Sequence, residues 1–155
     1  MVCNIKNNKR IYSAEELLPL IKDTVSKGGA FPLTVTGTSM TPTLYPIRDS
    51  VNLVSPEFKA PKKYDIVLFK RKNGKLVLHR IKKILKNNKL LINGDCQKWT
   101  EVIDKSQIIA VVKSYKQNGK IKTCSSTGVR LYSALWCKTR PFRPVIFKLA
   151  KALKH

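Results

Sequence analysis

Acidic residues are scarce in this chain of 155 residues: nine Asp and Glu stand against 31 Lys and Arg, which gives a formal net charge of +22. All nine lie between Glu15 and Asp104, so the sequence from Lys105 onward has none. This imbalance favours an anionic partner, either nucleic acid or the anionic lipid surface of the cytoplasmic leaflet. Codon bias toward Lys and Asn is the alternative explanation for the overall charge.

Long apolar runs, paired cysteines and histidines are also lacking. No stretch approaches about eighteen uninterrupted apolar residues, so no transmembrane helix is predicted. The four cysteines form no C-x-x-C pair and follow no signal peptide, which predicts reduced thiols and a cytoplasmic location. The only histidines are His79 and His155, and their spacing offers no zinc site. We expect no metal and no other cofactor.

The length and the 43% content of hydrophobic residues suit one domain with appendages. We divide the chain into an N-terminal helical segment (1–29), a central domain (30–123) and a basic amphipathic C-terminal tail (124–155). Residues 1–12 are polar and basic and are expected to be frayed. Ser13 to Glu16 form a capping box that opens a short helix, and Gly28-Gly29 end it.

The fold class predicted for the central part is mostly β. Short β-rich runs alternate with Pro, Asn and Gly at 33–36, 51–54, 65–70, 75–85, 90–93 and 108–115. Asn73-Gly74 and the Asn87-Asn88 region predict hairpin turns. On the strand containing 76–81, Leu76, Leu78 and Arg80 share one face, so His79 lies on the other, apolar face.

After Asn118-Gly119 we expect a basic appendage rather than more sheet. Residues 145–154 have the pattern of an amphipathic helix, with one apolar and one lysine face. Such a helix, together with Trp136, Phe142 and Phe147, is suited to lying in an anionic membrane interface. Packing of the apolar face on the domain, with the lysines in solvent, is the alternative.

Ser39 and His79 are the candidate catalytic residues. Gly37 and Pro42 shape a turn around the serine, while Met40 and Leu44 supply apolar anchors, so a hydroxyl is presented on a stiff loop. A serine hydroxyl is a weak nucleophile until a base removes its proton, and histidine is the usual base. On residue types alone, a turn serine and a half-buried strand histidine remain the simpler interpretation.

Five elements occur in an order and spacing that resemble the signal peptidase and LexA-like serine proteases of the S24/S26 superfamily, over roughly residues 30 to 115. They are Thr38-Ser39-Met40-Thr41-Pro42-Thr43-Leu44, Asp49-Ser50-Val51-Asn52-Leu53-Val54, Tyr64-Asp65-Ile66-Val67-Leu68-Phe69, Val77-Leu78-His79-Arg80-Ile81 and Asn93-Gly94-Asp95. The resemblance implies a signal-peptidase/LexA-like β-rich catalytic domain, to which the residue pattern adds the short N-terminal helix and the basic helical tail. Its base is lysine in most bacterial members but histidine in the SipW-like and endoplasmic-reticulum signal peptidases, which this chain resembles without their transmembrane helix.

The resemblance implies Ser39 as nucleophile, His79 as general base and Asp95 as the carboxylate near the histidine. The alternative is that Asp95 is only a turn residue. Asp104 could take the role of the carboxylate near the histidine, or could cap a helix or a turn. The N–H of Ser39 is the expected oxyanion donor. Gly37 replaces the hydroxyl residue that some lysine-type members have there, which leaves Thr36 or Thr38 as the second donor. Met40 and Pro42 are assigned to substrate binding.

The sequence thus predicts a serine endopeptidase of signal-peptidase-like type, cytoplasmic or peripherally bound to the membrane, whose partner is a peptide or precursor protein. An edge strand beside Ser39 would hold the peptide by strand addition. A LexA-like autoprotease ranks lower, because the chain has no Ala-Gly or Cys-Gly bond. A non-catalytic nucleic-acid-binding module is the rival from another class.

Overall fold

A mostly antiparallel sheet forms the body of the molecule. The computed structural model describes residues 3–4, 11–143, 145, 148 and 152. Its elements, in chain order, are β1 (Cys3–Asn4), β2 (Ile11–Tyr12), α1 (Ala14–Ser26), β3 (Phe31–Thr34), β4 (Ser50–Val54), β5 (Ile66–Lys70), β6 (Leu76–Ile84), β7 (Lys89–Asn93), β8 (Glu101–Asp104), β9 (Ile108–Gln117), β10 (Lys120–Thr123) and α2 (Thr127–Lys138). Short 3₁₀ turns cover Lys105–Gln107 and Arg140–Phe142.

The main sheet has eight strands in the order β3-β4-β9-β5-β6-β7-β8, with β10 paired to the far end of β9. The hairpins between β5 and β6 and between β6 and β7 follow the predicted turns: Gly74 has φ +83°, and Asn87 and Asn88 have φ 56° and 55°. Asn tolerates this left-handed conformation better than other residues with side chains, and glycine adopts it freely. Both turn predictions are confirmed.

The sheet buries both faces. On β5, Ile66 and Leu68 belong to one hydrophobic cluster, whereas Val67 and Phe69 belong to a second cluster on the opposite face. This alternation is the period-two pattern of a fully buried strand. The same alternation on β6 sends His79 and Arg80 to opposite faces, which decides the structure of the candidate site.

The helix α1 covers the first of these faces. The Ser13 hydroxyl accepts a hydrogen bond from the N–H of Glu16, and the Glu16 carboxylate accepts one from the N–H of Ser13, so the predicted capping box is present. Leu17, Ile21 and Val25 are buried in the same cluster as the sheet residues. Pro19 lies within the helix without ending it.

Three sequence predictions about the elements were wrong. β1 pairs with β2, although residues 1–12 were expected to be frayed. β10 adds a strand after Asn118-Gly119, where an end to the sheet was expected; its side chains are all exposed, so the apolar alternation that marks an inner strand is missing. β8 was not predicted. The predicted fold class, mostly β with a short N-terminal helix and a helical basic tail, is confirmed, and the tail helix is α2. The amphipathic helix predicted for 145–154, together with Phe147, falls almost entirely outside the described residues.

No helix in the described part of the chain combines the length and apolar character needed to cross a membrane.

Candidate active site

Ser39 lies in a tight turn that follows β3. The N–H and the hydroxyl of Thr41 both donate to the carbonyl of Thr38, at 3.0 and 2.7 Å, and the N–H of Leu44 donates to Met40 at 2.9 Å. Met40 and Leu44 are buried in the α1-side cluster. The turn is therefore fixed by its own hydrogen bonds and by two apolar anchors, as its sequence predicts.

The two residues assigned to substrate binding lie elsewhere. Met40 is only 1% exposed and packs in the core, so its side chain does not line the cleft. Pro42 does not line the cleft beside Ser39, and its carbonyl instead accepts a hydrogen bond from Gln117. The reason is the turn itself, which points the apolar side chain next to the serine inward and leaves the hydroxyl outside.

Ser39 and His79 line one open cleft with a volume of about 490 Å³. Its other walls are Thr36, Gly37, Arg71, Lys75, Leu76, Val77, Leu78 and Gln97. β7 pairs with β6 only from Arg80 onward, so residues 76–79 have no strand partner on this side in the part of the chain that the structure describes. The serine and histidine therefore line a cleft that also contains a free strand edge.

The imidazole of His79 is packed among aromatic and charged groups. Its ring centroid lies 5.9 Å from that of Phe69 and 6.0 Å from that of Trp99, and the side chain is 1% exposed. Burial lowers the pKa of His79 to about 4; the charge of Glu101 acts against this shift and that of Arg71 adds to it. The ring is consequently neutral at pH 7, the state in which a histidine can accept a proton.

Glu101 is the carboxylate beside the histidine. Its Oε1 lies 3.1 Å from Nδ1 of His79, in poor alignment for a hydrogen bond. Both the charge of Glu101 and its hydrogen bonding to the ring act to raise the pKa of His79. Arg71 fixes the carboxylate from the other side with two hydrogen bonds, Nε to Oε2 at 2.9 Å and Nη2 to Oε1 at 2.6 Å. These two hydrogen bonds hold the Glu101 carboxylate in one orientation beside His79.

Asp95 occupies a different place from the one the sequence predicted. Its carboxylate accepts hydrogen bonds from Nε and Nη2 of Arg80 at 2.9 and 2.7 Å, and one from the Thr43 hydroxyl at 2.5 Å. Because Arg80 and His79 alternate on β6, the Asp95 carboxylate and the imidazole are on opposite faces of the strand. Glu101 therefore takes the position beside His79 that was predicted for Asp95.

The buried Arg80–Asp95 pair is a structural unit. Both side chains are at most 3% exposed, and burial opposes the charge of Arg80, yet Asp95 more than offsets this effect and the pKa of Arg80 is raised. The other suggested carboxylate, Asp104, begins the short 3₁₀ turn after β8, where its N–H donates to Gln107 at 2.9 Å. It acts as a turn cap.

Two groups near Ser39 could stabilise a negative oxygen. The Ser39 N–H donates no hydrogen bond to the described residues. Thr36 lines the same cleft, and its hydroxyl is buried without a hydrogen-bond partner among those residues. Thr38, the other suggested donor, is absent from the cleft wall, and its carbonyl is occupied by Thr41.

The Ser39 hydroxyl makes no hydrogen bond to His79 or to any other described residue. Hydrogen bonds between catalytic groups are often long before a substrate is bound. Among the described residues, no three His, Cys, Asp or Glu side chains converge as a metal site requires. Cys96, Cys124 and Cys137 are free thiols.

Sequence reasoning missed Glu101, Arg71 and Trp99. Their proximity to His79 depends on β8 pairing with β7, where Glu101 lies opposite Ile92, and on the β5–β6 hairpin that ends near Arg71. No local pattern predicts this pairing. The available signal was Glu101 itself, an acidic residue two positions after Trp99 in a chain with few acidic residues.

The fold agrees with the comparison of the sequence with known families. Residues 3–114 match the Peptidase S24-like family, and the chain belongs to it. No curated protein and no solved structure matches the chain. The match ends near the middle of β9, so β10, α2 and the residues beyond them lie outside it.

Proposed function

We propose that this chain is a serine endopeptidase of signal-peptidase-like type in which Ser39 is the nucleophile and His79 the general base. The observation that carries the proposal is the shared cleft, whose wall contains both a serine in a rigid turn and a neutral, buried histidine. A neutral imidazole can take the Ser39 proton as the oxygen attacks the peptide carbonyl, and can return it to the leaving amine. A water molecule then hydrolyses the acyl-enzyme.

The negative oxygen of the tetrahedral intermediate would be held by the Ser39 N–H and the Thr36 hydroxyl. Both donors lack a partner in the described residues, so no existing hydrogen bond has to be broken. Donors that are already oriented toward the developing charge stabilise the transition state most, because they need no reorganisation during the reaction. Thr36 is thereby favoured over Thr38 as the second donor.

Substrate would bind as an extended strand along residues 76–79 of β6. These residues have a free edge, and they line the cleft next to Ser39. An added strand supplies main-chain hydrogen bonds regardless of sequence, while side-chain pockets decide specificity. By resemblance to the family, we expect small side chains next to the cut, in a peptide or precursor protein.

Cleavage of a mixed peptide library by the native chain and by Ser39→Ala tests this function. We expect cuts after small residues in the native sample that are missing in the variant. Peptides N-methylated at alternate positions should lose cleavage only where an N–H faces β6. Equal product patterns from the two proteins would overturn the proposal.

We further propose that the peptidase docks on an anionic membrane surface through the outer face of α2. Leu131 and Leu135 lie one turn apart and are 61% and 53% exposed, and Phe142 follows at 65%. No acidic residue follows Asp104, so the apolar face lies in an entirely basic part of the chain. Apolar burial together with attraction to anionic lipid is the usual basis of interfacial binding.

Co-sedimentation with anionic and with zwitterionic vesicles tests the docking. The native chain should sediment with anionic vesicles, and the Leu131→Ser/Leu135→Ser variant should not, whereas Ile47→Ser, at another exposed apolar residue, should behave like the native chain. Sedimentation that the double variant leaves unchanged would contradict docking by α2. Salt-sensitive DNA binding in its place would favour the nucleic-acid alternative.

A further inference from the structure

The C-terminal segment that lies outside the family match is attached to the candidate active site by polar side chains. Trp136 on α2 donates its indole N–H to the carbonyl of Asp95 at 3.0 Å. Arg143, which is 2% exposed, donates to Asn93 Oδ1 at 2.9 Å and to the Gly94 carbonyl at 3.3 Å. Both residues thus bind the loop of residues 93–97.

Arg143 also joins this loop to α2 itself. Its Nη2 donates to the carbonyl of Trp136 at 3.1 Å, and its guanidinium lies 5.1 Å from the centroid of the Trp136 ring. Its Nη1 reaches the carbonyl of Gln97 at 3.2 Å, at the other end of the loop. One planar, rigid cation therefore fixes both ends of the loop and the helix that covers it.

The same loop supports the nucleophile. The N–H of Cys96 donates to the carbonyl of Ser39 at 3.0 Å, and its thiol lies 3.3 Å from the carbonyl of Thr38. Gly94 approaches so closely that an added Cβ would stand 2.7 Å from the Ser39 carbonyl oxygen. The position of the Ser39 backbone is consequently set by the loop on which Arg143 and Trp136 act.

A second link runs from α2 to the neighbourhood of both candidate catalytic residues. Arg80, next to His79 on β6, donates to the Ser133 hydroxyl at 2.7 Å. The Tyr132 hydroxyl lies 3.1 Å from that of Thr43, in the turn that carries Ser39. The helix therefore contacts the flanks of the nucleophile and of the base, as well as the loop between them.

We propose that Arg143 and Trp136 are positioning residues for Ser39, so that the C-terminal segment is a working part of the active site rather than an appendage. The proposal rests on the peptidase function proposed above. Its effect falls on the chemical step, because a shift of the nucleophile and of the Ser39 N–H alters alignment more than it alters binding of an extended peptide.

The helix offers a matched control at its other end. Arg130 on α2 donates to Asp65 Oδ1 and to the carbonyl of Lys63, both at 2.9 Å, and touches neither the 93–97 loop nor the Ser39 turn. Arg130→Gln should loosen α2 without disturbing the loop. Arg143→Lys keeps the charge and loses the planar fork, while Trp136→Phe keeps an aromatic ring and loses the N–H.

The test compares these three variants with the native chain by kinetics on a library-derived peptide and by amide hydrogen exchange. Arg143→Lys and Trp136→Phe should lower kcat by about tenfold or more with KM within about twofold. They should also speed exchange in residues 36–44 and 93–97. Arg130→Gln should do neither, even where its melting temperature falls.

Native-like kcat and exchange in both Arg143→Lys and Trp136→Phe would overturn the inference, as would the same changes in Arg130→Gln. If the native chain cleaves no peptide, the proposed function fails. The exchange data still decide whether Arg143 and Trp136 hold the Ser39 turn, and unchanged exchange at residues 36–44 in both variants overturns that contact independently.

Discussion

His79 and Arg80 are neighbours on one strand, and each faces a carboxylate, yet the two pairs are built differently. The Arg80–Asp95 pair is sealed from solvent, and two aligned hydrogen bonds join its members. In the contact between His79 and Glu101, by contrast, His79 lines an open cleft, Glu101 is 21% exposed, and Nδ1 and Oε1 are poorly aligned. The first arrangement suits a fixed charge that stabilises the fold. The second suits a group that must take up and release a proton.

The largest effect that would sharpen this comparison is the loss of stability in Asp95→Asn. The substitution leaves the Arg80 charge buried without its counter-ion, which is expected to lower the free energy of unfolding by about 3–5 kcal/mol. Urea unfolding at pH 7 measures it. Glu101→Gln is the matched control, and because its site is partly exposed it should cost about 1 kcal/mol or less. Equal losses in the two variants would contradict the distinction.

The second effect is a pH dependence of stability that comes from His79. Its pKa in the folded chain is about 4, below the unfolded value near 6.5, so the unfolded chain binds the proton first as the pH falls. Stability from this residue is therefore complete above pH 6.5 and decreases toward pH 4, by about 3 kcal/mol. Urea unfolding from pH 4 to 7 should show a steeper fall in the native chain than in His79→Gln. Parallel curves would contradict a lowered pKa.

The third effect concerns the close approach of the 93–97 loop to Ser39. In Gly94→Ala the new Cβ would meet the Ser39 carbonyl at 2.7 Å and displace the nucleophile, so kcat should fall by about a hundredfold with a smaller change in KM. Gly128→Ala, on α2 and outside the cleft, is the control, since a Cβ there meets nothing within 4 Å. Steady-state kinetics on a library-derived peptide measures both, and a kcat in Gly94→Ala equal to that of Gly128→Ala would refute the prediction.

The smallest effect expected is the kinetic change in Glu101→Gln. The Glu101 charge raises the pKa of His79, so its removal should lower that pKa further below 4 and weaken the base. We expect kcat at pH 7 to fall by about tenfold, within the range of general-base effects. The acid limb of the pH–rate profile should move to lower pH. An acid limb displaced to higher pH would contradict the role given to Glu101.

The parts of the site that local sequence predicts are the turn, the strand and the hairpins. Gly37, Pro42 and two apolar anchors define the Ser39 turn without reference to the rest of the chain. The alternation on β6 places His79 and Arg80 on opposite faces, and the structure agrees. Each of these features depends on residues within a few positions of one another.

The carboxylate partner could not be predicted in the same way. Asp95 is nearer than Glu101 to His79 in the sequence. It pairs with Arg80 instead, because it lies on the face of β6 from which the Arg80 side chain extends. Glu101 reaches His79 only because β8 adds to β7 in a particular register. A helical tail was predicted, but the position of α2 within it was not, because the face that α2 buries carries Ser133 and Cys137 rather than the apolar stripe that marks an amphipathic helix.

The most direct test of the central claim is the cleavage rate of one library-derived peptide by the native chain, Ser39→Ala, His79→Gln and Asp95→Asn, together with the unfolding free energy of each. The account predicts that Ser39→Ala and His79→Gln lose cleavage at the same bond at pH 7 while keeping near-native stability. It predicts that Asp95→Asn loses stability first and retains cleavage in whatever fraction stays folded. Full cleavage by folded His79→Gln would contradict the account.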